Sequence, residues 1–168
     1  MSPVDDRDPI REAHQQWLRH GWDGAADGMA MVTSLVRVQQ LLMERIDTVL
    51  RPLDLTFARY EILMLLSFTS ANAMPMTRLG SLLQVHPTSV TSAVDRLQKQ
   101  GYVERERSAA DGRVVLASIT APGREVAQRA TTGLNTRVFE APGLPGTEVA
   151  ALTALLGAYR TAAGDRVD

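Results

Sequence analysis

Pro87 is followed by a cluster of hydroxyl side chains, Thr88, Ser89, Thr91 and Ser92, with the cations Arg96 and Lys99 further along. Hydroxyls both donate and accept hydrogen bonds, and a threonine methyl can meet a thymine methyl, so these residue types suit contact with the phosphates and base edges of duplex DNA. Arg96 and Lys99 would meet phosphates, which gives salt-dependent affinity rather than sequence choice. A second group, Arg105, Arg107 and Arg113, brackets a turn containing Asp111 and Gly112. An arginine at such a tip can enter a narrow minor groove, and a neighbouring aspartate can fix its orientation. The third feature is Glu61, alone in the otherwise apolar stretch 57–66 apart from Arg59. An unpaired carboxylate there is costly and tends toward a raised pKa, so a partner or a polar cavity is expected. Each feature also has a plainer reading: hydroxyls facing solvent, a charged hairpin partly neutralised by Glu104 and Glu106, and a glutamate held in an interior ion pair or hydrogen bond.

Pro87 suits a first helical position and Gly101 a C′ cap, so the hydroxyls lie on a helix from 87 to 100. Before it, Thr77 can cap a short helix through Leu83, and Thr56 caps an apolar helix that must be central. After it, Tyr102 to Glu106 and Val114 to Ile119 flank the polar turn 108–112 and read as two antiparallel strands. Helix, short helix, longer helix and hairpin in succession is the order of a winged helix-turn-helix, with the hairpin as wing. On either side lie amphipathic segments. Residues 8–21 form a short polar helix carrying Trp17, and 29–51 repeat apolar positions (Met31, Leu35, Val38, Leu42, Ile46, Val49) at helical spacing until Pro52. A helix with Val126, Ala130, Leu134 and Val138 starts at Thr120, and a last one from Thr147 to about Ala162 carries Val149, Leu152, Leu155, Leu156 and Tyr159. The expected class is therefore mostly α with a small β-hairpin wing.

The 168 residues suit one well-cored domain or one domain with appended arms, here a single domain over 1–168. The expected parts are N-terminal helices at 8–51, a winged helix-turn-helix lobe at 55–120 and C-terminal helices at 121–163. Cysteine is absent, which excludes disulfides, thiolate metal sites and thiol nucleophiles. An enzyme is disfavoured by the lack of a phosphate-binding glycine loop and of a nucleophile–base set. His14, His20 and His86 lack metal-ligand spacing. No cofactor and no metal is expected. An acidic amino terminus and the lack of an apolar run near 20 residues point to a soluble cytoplasmic protein.

There are 18 Lys+Arg against 19 Asp+Glu, a net charge of -1. This balance is the best support for an alternative, a winged-helix module that binds a protein and no DNA. The distribution argues the other way. Residues 76–113 hold six basic residues (Arg78, Arg96, Lys99, Arg105, Arg107, Arg113) and four acidic ones (Asp95, Glu104, Glu106, Asp111), so a modest basic lobe sits within an acidic chain.

The segments Thr77 to Leu83, Pro87 to Thr91, Val94 to Leu97, Gly101 to Arg105 and Asp111 to Arg113, flanked by Leu55-Thr56 and Ile119 to Gly123, resemble the MarR family of bacterial transcriptional regulators. The resemblance spans about residues 30–160. It implies an obligate homodimer of intertwined terminal helices that binds an inverted-repeat operator, with Thr77, Pro87, Thr88, Ser89, Thr91, Ser92, Arg96, Lys99, Arg107, Asp111 and Arg113 at DNA. It also implies a ligand pocket between lobe and dimerisation helices, and release of a repressor by a small organic acid or aromatic effector. Many relatives carry an arginine where Ser92 stands, so one positive contact is missing. Cysteine-based peroxide sensing is excluded. The extra N-terminal helix is similar to the urate- and organic-acid-responsive branch, which implies Trp17 as a lid, Glu61 on the central helix and Arg105 as the anion's bidentate partner. Packing of the first helix is the plainer role for Trp17.

Overall fold

In the computed structural model of the chain, the described residues are 8–83 and 87–165, with Pro87 described in its backbone only. They fall into two compact units divided between Ile46 and Asp47. His86 lies outside the described residues.

The first unit begins with α1 (Pro9–Arg19), capped by the Asp8 carboxylate, which accepts a hydrogen bond from the Ile10 amide. The chain turns at Gly21, in the left-handed region at φ 75°. Helix α2 (Asp23–Leu50) follows and continues past the division between the units. It starts six residues before the expected Met29, because the glycines at 24 and 28 alternate with the strong helix formers Ala25, Ala26 and Ala30. Trp17 packs edge-on against Trp22, with ring centroids 5.3 Å apart, and Ala26 is buried. Further along α2, Met31, Val32, Val36, Val38, Leu41 and Leu42 all remain exposed.

In the second unit, the end of α2 passes into a 3-10 turn (Arg51–Leu53) that accommodates Pro52, then Asp54 in the left-handed region. Thr56 caps α3 (Phe57–Ser67), which buries Tyr60, Ile62, Leu63 and Leu66. Strand β1 (Ala73–Pro75) leads into α4 (Met76–Leu83), α5 (Pro87–Lys99), β2 (Val103–Arg107) and β3 (Val115–Ile119). The sheet has the order β1-β3-β2 and is antiparallel throughout, with Met74 opposite Ala117 and Arg105 also opposite Ala117 on the other side. The hairpin was legible in the sequence, whereas β1 was not: three residues are too few for alternation, and Pro75 restricts it to an edge. Helices α3 to α5 and the sheet close around a core in which Leu63, Leu66, Leu79, Val94, Leu97 and Ala117 are fully buried.

Thr120 ties the wing to α6 (Ala121–Leu134). Its hydroxyl donates to the Gly101 carbonyl at 2.7 Å and accepts from the Gly123 amide at 3.1 Å. A Cβ on Gly123 would fall on the Tyr102 carbonyl oxygen, so only glycine allows this approach. Helix α6 loosens into a π-helical turn (Asn135–Phe139) before α7 (Gly146–Ala162). Helix α7 buries no residue; Leu155 and Tyr159 are more than half exposed.

Candidate nucleic-acid interface

Helix α5 separates its residues by face. Val90, Val94 and Leu97, at steps of four and three, are buried against the core, and Thr88, Ser89, Thr91 and Ser92 are exposed on the opposite side. Thr77, at the start of α4, is also exposed. Pro87 occupies the first position of α5, and its side chain lies outside the described residues.

Two polar networks hold α5 in place. At its C-terminal end, Asp54 receives Arg96 on Oδ2 at 3.0 Å and the Gln100 amide on both Oδ2 and the backbone carbonyl at 3.0 Å. Arg59 joins from α3, donating to the Asp54 carbonyl at 2.8 Å and to Gln100 Oε1 at 3.1 Å. Arg96, expected at a phosphate, is thus already engaged, though more than half exposed. Lys99 is exposed in the last turn. Sequence reading missed Asp54 as an organising residue; the signal available was an aspartate two residues after a proline, among the few residue types that tolerate the left-handed region.

On the wing side, Arg105 pairs with Asp95 at 2.7 Å and donates from Nε to Gln98 Oε1 at 2.8 Å, stapling β2 to α5. Arg107 donates to the Gly112 carbonyl at 2.9 Å. At the tip, Asp111 Oδ1 accepts from both the amide and Nε of Arg113, at 3.0 and 3.3 Å. The backbone bond first, and the side-chain bond second, hold the Asp111 carboxyl below its ordinary pKa. The Arg113 side chain is 92% exposed.

Glu61 lines a cavity of about 310 Å³ in the second unit, among Phe57, Tyr60, Met64, Leu65 and Phe68 of α3, Leu82 and Leu83 of α4, and Phe139. Burial pushes its carboxyl above the ordinary value. Arg105 is not among these lining residues, so Glu61 and Arg105 are not brought together. Trp17 belongs to the first unit, on α1. The apolar lining was not singled out from the sequence. Phe139 reaches its place at the end of the π-helical turn, whose extra residue per turn no periodicity reveals.

Residues 53–114 match the family model described as MarR family. The chain is 31% identical over 107 residues to the HTH-type transcriptional repressor Rv2887 of Mycobacterium tuberculosis, covering 64% of this chain and 76% of that protein. It is similar to the structure of Sco5413, a MarR family transcriptional regulator from Streptomyces coelicolor, at 42% identity and a TM-score of 0.75, covering 83% of this chain and 99% of that one. The chain belongs to the MarR family of transcriptional regulators. Another member, Sco3205 from the same organism, is known in complex with DNA; it matches at 25% identity and a TM-score of 0.69, over 78% of this chain and 84% of its own. The chain spans only 54% of the length of the Bacillus subtilis regulator YhbI, to which it is 31% identical over 85 residues. These MarR relatives are transcriptional regulators. Among the described residues no helix is long and apolar enough to cross a membrane.

Proposed function

We propose that this MarR family member is a homodimeric repressor that binds an inverted-repeat operator through α5 and the β2–β3 wing and leaves it when a small organic acid or aromatic effector binds. The observation that carries the DNA reading is the division of α5 into a buried Val90–Val94–Leu97 face and an exposed hydroxyl face, beside a wing that ends in the exposed Arg113. In this reading Thr77, Thr88, Ser89, Thr91 and Ser92 meet the major groove and its walls, Lys99 and Arg96 the phosphates, and Arg113 the minor groove, with Arg107 and Asp111 holding the tip. The exposed apolar residues of α2 and α7 support a dimer, because large patches of this kind mark interfaces. Two-fold symmetry would set half-sites about one turn, roughly 34–36 Å, apart. Release is a population shift: Leu82 and Leu83 of the cavity lie on α4, which packs against α5, so a ligand there favours one placement of the recognition helix.

The test is fluorescence anisotropy with the protein's own upstream DNA and a random duplex at moderate salt. Selective binding that weakens about tenfold in Arg113→Ala, with a shallower salt slope, is expected. Equal binding to both duplexes overturns the reading and favours a protein-binding module.

A further inference from the structure

Of the two effector classes, the organic acid and the aromatic, the cavity favours the aromatic. Its lining is apolar except for one ionisable carboxylate, Glu61, and the Tyr60 hydroxyl, which is shared with Thr131 Oγ1 at 3.1 Å. No basic side chain lines it among the described residues. Arg105, the natural partner for a bound anion, is committed to Asp95 and Gln98. Among the described residues, an anion entering here would meet a like charge and gain no cation. An aromatic body would gain burial against Phe57, Met64 and Phe139.

We propose that the Glu61 cavity binds a flat aromatic cation, a one- or two-ring skeleton carrying a protonated amine or amidine. The proposal rests on the reading of the protein as a ligand-released regulator. The positive group pairs with the Glu61 carboxylate, and the rings occupy the apolar wall, where phenylalanine faces also attract a cation. Burial raises the pKa of Glu61, and a cationic ligand favours its charged form. A volume of about 310 Å³ lies at the small end of ligand pockets, which suits a ligand of this size.

The experiment uses the full chain and three probes of one skeleton: 2-naphthylmethylamine, 2-naphthylmethanol and 2-naphthoate, with binding read by calorimetry and thermal shift. The amine is expected to bind at least about tenfold more tightly than the other two, and Glu61→Gln to remove that advantage while leaving the alcohol unchanged. Naphthoate binding as well as the amine, binding by none of the probes, or an amine affinity untouched in Glu61→Gln overturns the proposal. If the variant does not fold, the wild-type series decides. Anisotropy with upstream DNA in the same preparation separates the two readings. Amine binding without DNA selectivity overturns the regulator reading, whereas DNA selectivity with a preference for naphthoate overturns the cavity chemistry.

Discussion

The winged-helix lobe and the flanking helices spend their apolar residues differently. In the lobe, α3, α4, α5 and the small sheet converge, and Ile62, Leu63, Leu66, Leu79, Val94 and Leu97 have almost no exposed surface. Helix α7 has leucines at comparable density and buries none of them, and α2 leaves six large apolar side chains exposed between Met31 and Leu42. A helix repeats its apolar face whether or not the chain itself supplies the opposite wall. The lobe closes its own core; α7 and much of α2 present a face suited to a second copy.

The largest effect that separates the regions is expected in the lobe core. Leu63→Ala should cost about 2–5 kcal/mol in urea unfolding, because the cavity it leaves is enclosed on all sides. A cost below about 1 kcal/mol would mean that the lobe does not depend on its own core. On α7, Leu155→Arg should leave the helix intact and, in the proposed homodimer, shift the protein toward monomer in sedimentation velocity, since Leu155 is 69% exposed within the chain. An unchanged dimer would place the interface elsewhere.

Within the lobe the expected effects are smaller. Asp54→Gly removes the acceptor shared by Arg96 and Gln100 while keeping the left-handed backbone free of strain; the exposed ion pair contributes little, so thermal stability should fall by no more than about 1 kcal/mol. Operator affinity should fall more than stability does, as the C-terminal end of α5 loses its anchor; equal losses would reduce Asp54 to a folding role. The smallest effect is at Glu61. Its folded pKa is raised, so the folded state binds its proton more tightly than the unfolded chain does. That contribution is fully present below the unfolded value near 4.5 and is lost as pH rises through the folded pKa. Glu61→Gln should therefore gain melting temperature relative to the parent as pH rises from 4 to 7, with no gain at the acidic end. A constant difference would mean that burial does not perturb the carboxyl.

The sequence by itself determined the mostly helical class, the wing and the face of α5 that carries hydroxyls. Helical period, strand alternation, caps such as Thr56 and Thr120, and turn residues are local, and each is written in adjacent residues. Only the tertiary structure decided that Arg105 staples the wing to α5 rather than joining Glu61, and that Asp54, Arg59, Arg96 and Gln100 form one network across 46 positions. It also decided the third strand at Ala73–Pro75 and the seat of Phe139 in the cavity. These depend on which side chains distant in sequence meet. An arginine finds its carboxylate through the packing of the whole lobe, whereas a helix face is set by a rotation of about 100° per residue.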